Sequence, residues 1–224
     1  MSMPNIYQDK KLVNRPRLFL ITPSIFETAV MASQLKEAFS GGDIACVLIY
    51  MPDANTKDIQ SAAEVLVPII QDGGAAALVY GNTQAAGRSG ADGVHIDNSL
   101  EDVKLAVESF QPDRIVGTGG TKLKHDSMEW AETGVDYLFF GKLDLNEKET
   151  AHAKTLTGAS WWAELFETPC VALAGNTLDT LDEVAATAAD FVALKDAVWQ
   201  TDNIQNTISE ANKILEQHPF PEVD

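Results

Sequence analysis

The chain has 224 residues, 45% hydrophobic and 22% charged, which is enough apolar material for one packed core and excludes disorder along its whole length. Sixteen Lys and Arg face thirty-three Asp and Glu, a net charge of −17 that excludes the basic footprint of a nucleic-acid binder and disfavours an anionic membrane surface. Cys46 and Cys170 each lie in an apolar run, so neither a thiolate metal site nor a disulfide framework is expected.

Residues 1–16 are polar, hold no apolar signal-peptide core, and read as an N-terminal extension. No apolar stretch reaches the length that crosses a bilayer, and the expectation is a cytoplasmic protein. From Arg17 onward short apolar runs recur: Arg17–Thr22, Ala45–Met51, Ala75–Tyr80, Gly93–Ile96, Arg114–Gly117, Tyr137–Gly141, Cys170–Ala174 and Phe191–Leu194. They lack polar alternation, as do strands buried on both faces of a parallel sheet. Helical spacing fills the intervals. Ala29, Ala32, Leu35 and Ala38 share one face, and so do Ile59, Ala62, Ala63, Val67 and Ile70 behind an Asn55/Thr56 cap. Val103, Ala106, Val107 and Phe110 follow a Ser99 cap, and Ile204, Ile208, Ala211 and Leu215 mark a last helix over 202–217. Eight strands alternating with helices, and no Gly-x-Gly-x-x-Gly after any strand, predict a single (β/α)8 barrel over 17–217 with a loose tail at 218–224. Residues 142–157 read as a long loop after the sixth strand, on the face where barrel active sites gather.

Strand ends on that face supply the candidates. His95 stands beside Asp97 at the end of the fourth strand, where a histidine titrating near neutral pH serves as a general base. Tyr50 ends the second strand and completes the catalytic set. Gly175 permits close backbone approach to an anion, and Lys195 and Lys142 offer charge. Asp196 reads as a helix N-cap, and His152 as a solvated loop residue. The alternative for His95 is a histidine kept as part of the scaffold.

Three segments read together carry a family resemblance: Gly90-Ala91-Asp92-Gly93-Val94-His95; Ile115-Val116-Gly117-Thr118 followed by Gly134-Val135-Asp136-Tyr137-Leu138-Phe139-Phe140-Gly141; and Pro169 to Gly175 followed by Ala189 to Leu194. Their order and spacing, from about Arg17 to Val198, resemble the thiamine phosphate synthase family, which includes thiazole tautomerases. The resemblance implies a (β/α)8 barrel that joins an aminopyrimidine pyrophosphate to a thiazole phosphate with Mg²⁺ help. It implies a small phosphorylated substrate as partner; barrels often pair through their outer helices, so a homodimer is also an expectation. Laid on the family pattern, Tyr50 and Pro52 replace two cations, Gly81 and Leu100 two metal carboxylates, and Asn82 another cation. Asp97 stands three residues from the second carboxylate position. Gly119 takes the place of a serine, Lys142-Leu143-Asp144 of a threonine-rich stretch, and Lys195-Asp196 of Val-Ser. Asn82, Gly119, Gly175, Lys195 and Lys142 form the expected phosphate-binding set, with no metal ligand assigned. Three readings stay open: a synthase impaired in the ordinary reaction, a non-catalytic barrel that binds a ligand or partner, and an enzyme of altered chemistry using His95, Asp97, Tyr50 and the loop lysines.

Overall fold

The computed structural model describes residues 14–144 and 150–221. Eight parallel strands close into a barrel in sequence order. They are β1 Arg17–Ile21, β2 Cys46–Ile49, β3 Ala76–Tyr80, β4 Gly93–His95, β5 Ile115–Gly119, β6 Tyr137–Phe140, β7 Cys170–Leu173 and β8 Phe191–Leu194. The helices are α1 Thr28–Phe39, α2 Thr56–Asp72, α3 Thr83–Ser89, α4 Leu100–Phe110, α5 Lys124–Ala131, α6 Ala153–Leu165, α7 Leu181–Ala185, α8 Asp196–Trp199 and α9 Ile204–Leu215. The ring closes through β1 and β8, with Phe19 opposite Ala193.

Two buried clusters follow from the period of two along each strand. One lies between strands and helices, where Leu18, Leu20, Val47, Val79, Val94 and Val192 meet the apolar helix faces. The other fills the barrel: Phe19, Leu48, Leu78, Tyr137, Phe139, Val171 and Ala193, with Leu143 above them. Tyr137 lies where Gly117 leaves room, since a Cβ on Gly117 would collide with the Tyr137 ring.

The turns ahead of the even strands each carry an aspartate that clamps the preceding strand at the bottom face. Asp92 donates its N–H to the Ala77 carbonyl at 2.9 Å, and its carboxylate accepts the Ala77 N–H at 2.7 Å. Asp136 repeats this on Val116 at 2.8 and 2.7 Å. Asp190 accepts the Cys170 N–H at 2.8 Å. Gln71 and Gln111 brace the first two turns by donating to Gly90 and Gly134 carbonyls and to the Asp carboxylates.

Several expectations are corrected. The segment after β6 is not loop through 157: α6 starts at Ala153, and His152 caps it by accepting the Lys154 N–H on Nδ1 at 3.2 Å. The stretch 145–149 lies outside the described residues. Lys195, not Asp196, holds the N-cap position of α8, and Asp196 opens the helix. The last helix is shorter than expected, beginning at Ile204 behind an Asn203 cap and ending at Leu215. His218 Nε2 sits 2.8 Å from the Asp182 carboxylate. Asn14 and Phe220 exchange two hydrogen bonds, Phe220 N–H to Asn14 O at 3.2 Å and Asn14 Nδ2 to Phe220 O at 3.0 Å. Of the expected extension, residues 1–13 lie outside the described residues. No described helix is long and apolar enough to cross a membrane.

Candidate functional site

Parallel register puts the strand ends at one mouth, and parity decides which side chains point into it. Tyr80 pairs with His95 across β3 and β4, and His95 with Gly117 across β4 and β5. Tyr50 follows β2 directly, and its N–H donates to the Thr22 hydroxyl at 2.9 Å. The Tyr50 and Tyr80 rings meet edge to face, centroids 4.8 Å apart. The Tyr80 hydroxyl donates to the Asp97 carboxylate at 2.8 Å. Across the mouth, Lys195 Nζ lies 5.5 Å from the Tyr50 ring centroid and donates to the Leu143 carbonyl at 3.3 Å. Leu143 itself is 5% exposed and belongs to the interior cluster.

Electrostatics at the mouth are acidic. Burial pushes the Tyr50 phenol up to about 12, with Asp144, Asp97 and Asp53 adding to the shift. Tyr80 is raised for the same first reason and then by its bond to Asp97. Burial also raises the Asp97 carboxyl, and the Tyr80 hydroxyl opposes that by stabilising the carboxylate.

His95 lies beneath, at 0% exposure. Its Nδ1 is 2.9 Å from the Tyr137 hydroxyl, and its ring stacks between those of Tyr80 and Tyr137 at centroid distances of 6.1 and 5.7 Å. Nε2 has no partner among the described residues. Burial lowers its pKa to about 3, well below the range of a general base working near neutral pH.

Tyr50, Asp97 and Lys195 are therefore brought together, with His95 in the layer below. The remaining candidates make other contacts. Asn82 caps α3 by accepting the Ala85 N–H at 2.8 Å, and its amide donates to Thr56 Oγ1 at 3.0 Å. Gly119 is packed against Phe139, whose Cβ lies 2.8 Å from where a Gly119 Cβ would stand. The Gly175 N–H, expected to face an anion, donates instead to the Thr180 hydroxyl at 2.9 Å. Lys142 is exposed on the segment after β6. Sequence reasoning missed Tyr80 and Leu143 as parts of the mouth. Tyr80 shares parity with Leu78 on a strand whose end faces the mouth, a signal that was available; nothing local marks Leu143 as buried.

Among the described residues no group of three or more His, Cys, Asp or Glu is placed to hold a metal ion. Asp97 has one oxygen committed to Tyr80.

Against known proteins, the profile of a family described as thiamine monophosphate synthase matches residues 18–198. The thiamine-phosphate synthase of Rhodospirillum centenum is 36% identical over 187 residues, covering 82% of this chain and 89% of that protein. That of Hyphomonas neptunium is 31% identical over 191 residues, covering 83% and 86%. Among solved structures, the thiamine phosphate pyrophosphorylase of Pyrococcus furiosus superposes with a TM-score of 0.76 at 24% identity, covering 92% of this chain and 98% of that one. A geranylgeranylglyceryl phosphate synthase from Thermoplasma acidophilum shares the fold at TM-score 0.64 and 10% identity, covering 91% and 94%. A profile spanning the barrel from β1 into α8, together with relatives above 30% identity over most of both chains, makes this chain a member of the thiamine monophosphate synthase family.

Proposed function

We propose that this family barrel is impaired in ordinary thiamine phosphate synthesis and retains its mouth as a small-molecule site. The observation that carries this reading is the mouth's make-up: paired tyrosines at the ends of β2 and β3, acidic surroundings, and a buried Lys195 already bonded to Leu143. A pyrophosphate leaving group needs preorganised cations, and losing one charge-stabilising group costs about 10² to 10³ in rate. Laid on the pattern that the family resemblance implies, this chain lacks four or more of the expected groups, and even strongly non-additive losses leave a large deficit. The Gly175 amide, which would meet a phosphate, is instead bonded to Thr180.

A second reading, a working synthase, is favoured by the names of the R. centenum and H. neptunium relatives. One assay separates the two: thiamine phosphate formation from the two phosphorylated precursors with Mg²⁺, run beside the P. furiosus protein. The expected rate is at least about 10³-fold below that control. A rate within tenfold of the control establishes the second reading and means that other groups replaced the missing cations.

A further inference from the structure

We propose that Leu143 is a built-in plug of the barrel mouth, latched by Lys195, and that its seat binds a small molecule with an apolar ring and one hydrogen-bond-accepting oxygen. This rests on the reading of the mouth as a small-molecule site and adds the class of ligand.

The segment after β6 turns at Gly141, whose φ of +135° is in the region that favours glycine. A Cβ there would stand 2.5 Å from the Leu173 side chain, so the turn lies directly on the barrel. Two residues on, Leu143 is 5% exposed, in the interior cluster with Tyr50, Phe139 and Leu173. An apolar side chain from a connecting segment thus occupies the place where strand ends converge, the usual position of a barrel's ligand.

Among the described residues, Lys195 beside that seat and His95 in the layer below have few hydrogen-bond partners. Lys195 is 8% exposed and carries three donors, yet among the described residues it makes one hydrogen bond, to the Leu143 carbonyl at 3.3 Å. Charge-assisted bonds run nearer 2.7–2.9 Å, so this latch is a weak one that a better oxygen displaces. His95 Nε2, fully buried, has no partner, and its ring stacks on Tyr80, which in turn meets Tyr50. The walls are aromatic and aliphatic, which suits a ring. Asp97, Asp144 and Asp53 act together on Tyr50, and that field selects against a multiply charged anion while one buried ammonium tolerates a neutral carbonyl or a monoanion.

The test uses benzoate as probe and pyrophosphate as comparator, with affinities measured by calorimetry on the full chain. Leu143→Ala removes the plug and is expected to bind benzoate at least tenfold more tightly than the unaltered protein, with no gain for pyrophosphate. Adding Lys195→Met is expected to abolish the gain. Leu143→Val, a milder truncation, gives the same direction at a few-fold and decides the matter if Leu143→Ala does not fold. No gain in a folded Leu143 variant, a gain that survives Lys195→Met, or an equal gain for pyrophosphate overturns the proposal. The synthase assay answers separately: a fast synthase with no benzoate gain defeats both readings, whereas a slow one with no gain defeats the plug alone.

Discussion

His95 shows how burial changes what a residue type means. At the end of β4 it has the look of a base poised for neutral pH, yet the interior holds it neutral with a pKa of about 3. Unfolding frees it to bind a proton from about pH 6.5 downward. The native state forgoes that proton, so His95's contribution to stability is complete above pH 6.5 and is lost as pH falls toward 3. The slope is about 1.4 kcal/mol per pH unit in that window. Asp97, raised by burial, works in the opposite sense, so the comparison must be made against a His95 variant. Urea midpoints from pH 7 to 4 are expected to fall less steeply for His95→Gln than for the unaltered protein; parallel curves would show that the imidazole is hydrated. Gly117 gives a second test at this scale. Adding a methyl there drives into the Tyr137 ring, which supports His95, and Gly117→Ala is expected to cost about 3 kcal/mol. Gly81, at φ +65° with open space around it, pays backbone strain alone, and Gly81→Ala is expected to cost about 1 kcal/mol in the same denaturation experiment.

Among elements, the aspartate turns ahead of the even strands join strand pairs. One aspartate grips both backbone groups of a residue on the preceding strand, as Asp92 does Ala77 and Asp136 does Val116. Asp92→Ala leaves the buried Ala77 N–H without its carboxylate, and a loss of about 2 kcal/mol in urea denaturation is expected. Gln71→Ala, which removes only the exposed brace on that turn, is expected to cost under about 1 kcal/mol. Equal losses would mean that the brace, not the clamp, holds the strand. The same turns carry much of the family resemblance, because a clamp repeated at strand starts demands an aspartate each time. Strand ends carry no such demand. Analogy of position puts Asn82, Gly119 and Gly175 on the phosphate side; in the structure Asn82 caps α3, Gly119 packs its α-carbon face against Phe139, and the Gly175 N–H donates to Thr180. What a mouth residue touches depends on which connection folds over it, and Leu143 shows that no local pattern announces this.

At the scale of the molecule, the barrel was legible because both signals that specify it are periodic. Short doubly buried strands and amphipathic helices alternate eight times, and the ring closes as that count requires. Helix limits after β6 and at α9 were less legible, since capping by His152 and Asn203 decides them and neither position stands out from polar neighbours. The ring has one more property. Asn14 and Phe220 hold one another's backbone by two hydrogen bonds, so the stretch entering β1 and the stretch leaving α9 lie side by side. Cyclic order is then the quantity the fold specifies, and the place where the chain is cut is secondary. A circular permutant that joins these two stretches by a short glycine-serine bridge and opens at the exposed Gly73-Gly74 turn is expected to give the same circular dichroism spectrum and a single cooperative melt. A permutant that failed to fold would show that β1 must be laid down first, giving the barrel a beginning that its closed geometry conceals.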